Sequence, residues 1–331
     1  MSTVKRQHYV PRFLLNNFTD QDGKIYVFTR QKDSPFRTDP SNVACQKYYN
    51  AIKIDRENID TQTIEKELSQ IEGAGSDVIN AILSGSPPTQ QQREDLSLFI
   101  TSQDFRSPRR RQEYADMLLG IEHHKFTDNT TASVENYIRD VIEASGSKKE
   151  FDFSNISTES ELRIDDDGTI TVDFEATIHA LSTAKHFSPI VSEMDWHLFR
   201  APRGNNFIIC DSPVQIYESP ATLEKFSAPA YWRKGSYISI PLASDACLVA
   251  SHRPATEGFK WPPRFTVTEA KGSDVRFLNQ LQLFGCLKQI YANFEYNWLG
   301  KKCATLPARG PQLSFMPVDE NGKSLSVKMD R

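Results

Sequence analysis

Apolar residues recur at three- and four-residue steps along several stretches of this chain, which is the spacing of an amphipathic helix. Between Thr61 and Leu83 the apolar row is interrupted by Gly73 and Gly75, so the pattern predicts two helices or one kinked helix. The same spacing predicts further helices over Ser133 to Ser145, Phe174 to Phe187 and Asp274 to about Phe294.

A helix predicted to begin after Thr89, which forms a capping-box pair with Gln92, has a polar interval in its apolar face. Because the same face is apolar on both sides of this interval, its polar side chains are predicted to be buried. They are Gln103, Arg106 and Arg110. Pro108 lies inside the pattern and is expected to kink the helix. The neighbouring Arg109 and Arg111 are predicted to form a solvated basic turn.

Stretches rich in β-branched and aromatic residues predict strands elsewhere. Lys24 to Arg30 and Phe36 to Thr38 predict a hairpin near the N-terminus. The remaining predicted strands are Trp196 to Arg200 paired with Asn206 to Cys210, and Tyr237 to Leu242 followed by Cys247 to Ser251.

Asp211 stands directly after a buried run and before a Ser-Pro turn, which fixes a carboxylate at the end of a strand. Two interpretations stay open from the sequence. Asp211 belongs to a functional site, or it accepts hydrogen bonds from backbone N–H groups of its own turn.

The N-terminal stretch from Gln7 to Phe18 is too apolar and aromatic for a loose end, so it is predicted to dock into the body of the protein. Pro11 favours an extended lead that turns into a short helix. This arrangement places His8 and Arg12 together at the start of that helix.

These elements predict an α+β fold with a small hairpin in a helical N-terminal half, and an antiparallel sheet and a long helix in the C-terminal half. We expect one integrated domain over 1–300, made of a helical half at 1–146, an excursion at 147–173 and a mixed half at 174–300. An irregular tail is expected over 301–331.

Composition narrows the function classes only slightly. The net charge of −4 gives no general attraction to nucleic acid or to an anionic membrane. The five cysteines have no metal-ligand spacing, and buried free thiols in a reducing cytoplasm are expected. No leader-like apolar run is present at the N-terminus, and no run of about 18 apolar residues exists, so a cytoplasmic protein without membrane contact is expected.

Several segments together resemble the domain of unknown function 4238 family, a mainly bacterial set of cytosolic proteins. They are HYVPRFLLNNF, GKIYVF, IEKELSQIEG, FITSQDFRSPRRR, FIICDSPV, IPLAS and NQLQLFGCLKQIY. The family opening has two histidines before YVP, and here Gln7 replaces the first, which argues against a two-histidine metal site. Cys210 replaces the commoner serine before Asp211. The resemblance implies an architecture and a set of positions, and no reaction.

The polar residues selected in this way suggest a hydrolase acting on a phosphate-bearing substrate, either a nucleotide or nucleic acid. His8 would be the acid, base or nucleophile and Asp211 its orienting group, with Arg106 and Arg110 as a phosphate clamp. The accompanying binding residues are Tyr9, Arg12, Gln103 and Asn279. No metal is expected, and the sequence leaves cofactors and oligomeric state open.

Two alternatives come from other classes. One is a non-catalytic module that senses an anion or a nucleotide. The other is a structural network in which Arg106 and Arg110 pair with Asp211 and Glu72. A nuclease of the His–metal-finger type is a weaker analogy, because no histidine follows His8 before His123.

Overall fold

The computed structural model describes residues 6–32, 34–53, 59–113, 162–164, 170–172, 175–218, 230–252 and 263–306. The chain divides into two compact units, the first comprising 1–111 and 173–308 and the second 112–172 and 309–331. The helix predicted over Ser133 to Ser145 lies outside the described residues, and the single domain over 1–300 stays a prediction.

The first unit contains helices and strands in alternation. Its helices are α1 (Arg12–Asn16), α2 (Thr63–Leu83), α3 (Gln90–Phe105), α4 (Glu175–Ser192), α5 (Gly272–Gly285) and α6 (Asn297–Thr305), with a 3-10 turn at Pro40–Asn42. Its first strands are β1 (Arg6–His8), β2 (Ile25–Thr29), β3 (Phe36–Thr38), β4 (Cys45–Lys47), β5 (Ile52–Lys53) and β6 (Ile59–Asp60). In the second unit the described residues include β7 (Leu162–Ile164) and β8 (Ile170–Val172), which pair antiparallel. The first unit resumes with β9 (Asp195–Arg200), β10 (Ile209–Cys210), β11 (Gln215–Glu218), β12 (Ser236–Ala243), β13 (Ala246–Ser251), β14 (Phe265–Glu269) and β15 (Gln289–Ala292).

Two larger sheets form the β part of the first unit. A four-stranded sheet has the order β10-β15-β2-β3, and a five-stranded sheet has the order β11-β12-β13-β9-β14. The pairs are antiparallel except for β14, which runs parallel to β9 at the sheet edge. The predicted α+β class is therefore confirmed, and so are the β2–β3 and β12–β13 hairpins.

Helix α2 is one continuous helix, which resolves the alternative that Gly73 and Gly75 had left open. Gly75 faces α3, because a β-carbon at this position would lie 2.7 Å from the Phe99 ring. The glycine thus permits close packing of two helices. Thr89 caps α3 as predicted, since its hydroxyl accepts from the Gln92 N–H at 3.3 Å and its own N–H donates to Gln92 Oε1 at 2.9 Å.

The helix predicted from Asp274 to Phe294 is wrong in its second half. Helix α5 ends at Gly285, and residues 289–292 form strand β15 between β10 and β2. Ile290 and Tyr291 are fully buried in this central strand. Pairing with strands from both ends of the chain therefore overrides a helical spacing that the sequence shows locally.

The predicted hairpin of Trp196 to Arg200 with Asn206 to Cys210 is also wrong. Strand β9 pairs with β13 and β14, whereas β10 pairs with β15 in the other sheet. The turn between them carries the chain from one sheet to the other. Helix α6 continues to Thr305, so regular structure extends past 301, where the tail was expected to start.

Membrane crossing has no helical candidate within the described ranges, since every helix there is too short or too polar to span a bilayer.

Candidate functional site

The N-terminal stretch is docked in the core, as its apolar content predicted. Pro11, with φ of −59° and ψ of 141°, precedes helix α1, whose Leu14 and Leu15 are fully buried. Strand β1 pairs antiparallel with β4, which places His8 opposite Cys45. The stretch is therefore held by a strand on one side and a buried helix on the other.

Gln103 and Arg106 connect this stretch to the end of α3. Both residues are buried, as predicted. The Gln103 Nε2 donates to the backbone carbonyl of Tyr9 at 2.6 Å, and the Gln103 Oε1 accepts from Arg106 Nη2 at 2.8 Å. Arg106 Nη2 also lies 2.6 Å from Glu72 Oε1, which forms an ion pair between α2 and the end of α3. Gln103 therefore couples the backbone next to His8 to a buried guanidinium.

His8 is half-buried, and it lies in the fields of charges from both signs. Burial, followed by the positive charges of Arg12 and Arg6, lowers the pKa of His8 below its usual value, and the Glu72 carboxylate opposes that shift. Arg12 itself is exposed to solvent, although the sequence placed it among buried residues. The carboxylate that acts on His8 is thus Glu72, from α2.

Two polar atoms at this place are buried without a hydrogen-bond partner among the described residues. They are His8 Nε2 and Arg106 Nη1. Buried donors and acceptors are nearly always paired in native proteins, so each such atom needs an explanation. Both atoms are close to Glu72, one through a direct ion pair of its residue and one through its field.

Arg110 is engaged elsewhere. Its Nε donates to Asp104 Oδ1 at 3.0 Å and its Nη2 to Asp104 Oδ2 at 2.9 Å, which is a two-pronged ion pair. Asp104 Oδ2 also accepts from the Tyr231 hydroxyl at 2.9 Å. Arg110 is only half-buried, and its partner is neither Glu72 nor Asp211 as the structural alternative proposed. This ion pair holds the end of α3 to the loop that leads into β12.

The basic turn expected at Arg109 and Arg111 is not a solvated face. The Arg111 guanidinium carbon lies 3.5 Å from the centre of the Tyr49 ring, and its Nη1 donates to the Tyr49 carbonyl at 2.5 Å. Arg109 Nη1 donates to Gln215 Oε1 at 3.0 Å. The helix ends at Phe105 and helical structure resumes at 108–113, so Pro108 starts a new helical segment and turns both arginines toward protein partners.

Asp211 is buried at the end of β10, and its carboxylate binds backbone. Its Oδ1 accepts from the Leu287 N–H at 2.8 Å, and its Oδ2 accepts from the Lys288 and Gln289 N–H groups at 2.5 and 2.9 Å. These donors belong to the segment between α5 and β15, not to the turn of Asp211 itself. The carboxylate therefore ends the helix and starts the strand.

Tyr9 reaches toward the same carboxylate. Burial, followed by the negative charge of Asp211, raises the pKa of Tyr9, and its hydroxyl is hydrogen-bonded to Tyr291. The Tyr291 hydroxyl donates to Gln289 Oε1 at 3.0 Å. Tyr9 thus links the N-terminal stretch to the β15 segment that Asp211 organises.

Asn279 is buried, as its place on α5 predicted, and it bonds backbone on both sides. Its Oδ1 accepts from the Ile208 N–H at 3.0 Å, and its Nδ2 donates to the Asn206 carbonyl at 2.9 Å. Gln282, one turn later, accepts from the Cys210 N–H at 3.1 Å. Both amides tie α5 to the strand that leads to Asp211.

The match to known proteins covers nearly all of this arrangement. Residues 6–295 match the model of one family, described as a protein of unknown function (DUF4238). The chain belongs to this family. No curated protein and no solved structure matches the chain. The match confirms the resemblance that the opening stretch and the Asp211 segment indicated.

In this DUF4238 protein, Gln7 has structural hydrogen bonds at the position of the expected first histidine. Its Oε1 accepts from the Asn50 N–H at 2.7 Å, and its Nε2 donates to the Thr61 carbonyl at 3.4 Å. Across the described ranges, no group of three or more His, Cys, Asp or Glu side chains is arranged to hold a metal ion.

The sequence left out three residues that complete the surroundings of Arg106. Tyr49 donates its hydroxyl to the Arg106 carbonyl at 2.7 Å, and burial raises the pKa of Tyr49 to about 12. Asn50 donates to Glu65 at 2.8 Å, and Glu65 is close enough for its pKa to respond to Glu72 and Arg106. Glu65 and Glu72 are seven residues apart on α2, so helical spacing alone placed them on one face.

Proposed function

We propose that this DUF4238 protein is a hydrolase that acts on a phosphate-bearing substrate, a nucleotide or nucleic acid, at His8. The observation that carries the proposal is His8 Nε2, which is buried without a hydrogen-bond partner among the described residues and lies beside Arg12, Arg6 and Glu72. An imidazole surrounded by charges of both signs has the chemistry of a general acid or base.

The lowered pKa of His8 supports a base. Burial and the two arginines keep the imidazole neutral at pH 7, so Nε2 has a lone pair available for a proton. In hydrolysis His8 would take a proton from the attacking water while the water oxygen bonds to phosphorus. The P–O bond to the leaving group then breaks, and the imidazolium returns the proton to that leaving oxygen.

The arginines supply the charge that a phosphate requires. Arg12 and Arg6 are exposed and lie close enough to His8 to influence its pKa. Guanidinium groups match phosphate oxygens in geometry and stabilise the charge that develops there. Arg110, which was expected in the phosphate clamp, is replaced in this role because Asp104 occupies its guanidinium.

Asp211 does not serve as the orienting carboxylate in this proposal, because its two oxygens receive three backbone N–H groups. Glu72 takes that place. Tyr9, Gln103 and Asn279 position the backbone around the site, and the five free cysteines accord with a reducing cytoplasm.

The test is turnover of phosphate esters by the full-length chain. A panel of nucleotides, a single-stranded oligonucleotide and a chromogenic phosphate ester is assayed with wild-type protein and with the His8→Gln variant. We expect at least a hundredfold loss of turnover in His8→Gln, in line with the usual contribution of a general base. The matched control is His197→Gln, a change on β9 where the imidazole binds the Thr266 hydroxyl. Equal turnover in both variants, or none in the wild type, would refute the proposal.

A non-catalytic anion sensor is the second candidate, and Arg106 favours it. Its guanidinium is buried and keeps one nitrogen without a partner among the described residues, a feature that binding alone explains. Ligand-dependent thermal stabilisation without turnover on the whole panel would select this candidate.

A further inference from the structure

Arg106 Nη1 and His8 Nε2 come from opposite ends of the helical region, and the fold brings both of them to Glu72. Each is buried, and neither has a hydrogen-bond partner within the described ranges. An unpaired buried polar group costs about 1–3 kcal/mol, so two of them at one place are a standing cost to the folded state. Gln103 fixes this arrangement by binding the carbonyl beside His8 and the Arg106 guanidinium at once.

We propose that Arg106 Nη1 and His8 Nε2 bind the terminal phosphate of a phosphomonoester, and that Glu72 gates this site by leaving Arg106 when the phosphate enters. The choice of ligand rests on the proposed function, whereas the gate rests on the geometry of the three residues.

An oxyanion fits the donors. Guanidinium nitrogens only donate hydrogen bonds, so Arg106 Nη1 requires an acceptor. The charged groups that act on His8 are Arg12 from α1, Arg6 from β1 and Glu72 from α2. With Arg106 added, three positive charges face Glu72, and Glu65 lies behind it on α2. A phosphate that replaces the Glu72 carboxylate would meet these arginines and the Nε2–H of a protonated His8.

Glu72 is the movable member of the ion pair. Its side chain is 27% exposed, whereas only 3% of the Arg106 side chain is exposed. Arg106 is also fixed by Gln103, so it stays in place while Glu72 can rotate into water. Because carboxylate and phosphate carry the same sign of charge, they compete for Arg106, and the closed pair keeps the guanidinium neutralised until a ligand arrives.

Burial of the two nitrogens determines which phosphate fits. An oxygen that reaches both must lie at the end of a ligand, because a diester would have to bury a chain on each side of its phosphorus. A terminal phosphate has three oxygens and one substituent, which is able to leave through the side that Glu72 opens. The phosphate of a phosphomonoester or a nucleotide end is therefore the ligand class.

The experiment measures binding of inorganic phosphate, methyl phosphate and dimethyl phosphate to the full-length chain by isothermal titration calorimetry. The key variant is Glu72→Gln, which keeps an oxygen acceptor for Arg106 but removes the competing charge. We expect inorganic phosphate and methyl phosphate to bind on the order of tenfold more tightly to Glu72→Gln than to wild type. Dimethyl phosphate should bind to neither protein.

The control is Glu67→Gln, a matched change on the same helix at a carboxylate that pairs with Lys185 at 2.5 Å. Its phosphate affinity should equal that of wild type. His8→Asn should weaken phosphate binding about tenfold relative to wild type, because it removes one of the two donors. If Glu72→Gln binds phosphate no better than Glu67→Gln, or if dimethyl phosphate binds as well as methyl phosphate, the gated site is wrong.

The outcome also separates this inference from the proposed hydrolase. Phosphate binding with this pattern and no turnover of any ester would refute the hydrolase and support the gate. Turnover at His8 with no difference in phosphate affinity or KM between wild type and Glu72→Gln would refute the gate alone.

Discussion

Gln103 and Tyr9 are 94 positions apart in the chain, and the Gln103 Nε2 donates to the Tyr9 backbone carbonyl at 2.6 Å. The other end of the same amide accepts from Arg106 at 2.8 Å. One buried side chain therefore binds the N-terminal stretch and orients the arginine that pairs with Glu72. The site forms only when the first residues of the chain are docked.

Replacement of Gln103 by leucine should destabilise the protein by about 2–5 kcal/mol. Leucine removes the partner of the Tyr9 carbonyl and one of the acceptors of the buried Arg106, so two polar groups lose their hydrogen bonds. Urea unfolding followed by circular dichroism measures the loss. Gln91→Leu, on the exposed face of the same helix, should change stability by less than about 0.5 kcal/mol. Similar losses in both variants would mean that Gln103 has no special role.

Asp211→Asn should cost about 2–4 kcal/mol of folding free energy, because a charged acceptor of three backbone N–H groups becomes a neutral amide. The control is Asp245→Asn, at a 63% exposed side chain that pairs with Arg200. If Asp211→Asn kept full stability but lost turnover, Asp211 would be a site residue, as the sequence proposed, and its structural role would be minor.

The elements that the sequence predicted correctly depend on local information. The α2 row, the Thr89 cap and the β2 and β12–β13 hairpins are all visible in spacing and turn residues within a short window. Residues 289–292 show the limit of that approach. Their apolar spacing continues that of α5, and only Asp211, 78 positions before Gln289, supplies the acceptor that starts a strand there.

The polar site shows the same division. Helical spacing predicted that Gln103 and Arg106 face inward, and the structure confirms it. Arg110 and Arg111 were assigned wrongly because the sequence does not reveal their partners, Asp104 and Tyr49, or the break in the helix before Pro108. Partner choice between buried charges depends on three-dimensional distance, which spacing does not encode.

Folding stability should fall on acidification through the protonation of His8. The folded pKa lies below the ordinary value of 6.5, so the unfolded chain binds the proton more readily. The contribution of neutral His8 is therefore complete above pH 6.5 and is lost as the pH falls from there toward the folded pKa. Urea unfolding of wild type and His8→Gln between pH 7.5 and about 5 compares the two slopes. Arg12, Arg6 and Glu72 are unchanged in both proteins, so a steeper loss in wild type isolates His8. Parallel curves would contradict the lowered pKa.

The two glycines of α2 should respond in opposite directions to alanine. A methyl group at Gly75 would lie 2.7 Å from the Phe99 ring, so α2 and α3 must separate, and Gly75→Ala should destabilise the protein by about 1–3 kcal/mol. A methyl group at Gly73 meets no atom of the described structure within 4 Å, so Gly73→Ala should stabilise by about 0.5–1 kcal/mol through helix propensity. Thermal unfolding of both variants under identical conditions measures the difference. Because Glu72 adjoins Gly73 and Arg106 follows on from α3, separation of these helices should also loosen the Glu72–Arg106 ion pair. Phosphate binding should therefore change in Gly75→Ala and not in Gly73→Ala, whereas stabilisation by both substitutions would contradict the close packing of α2 on α3.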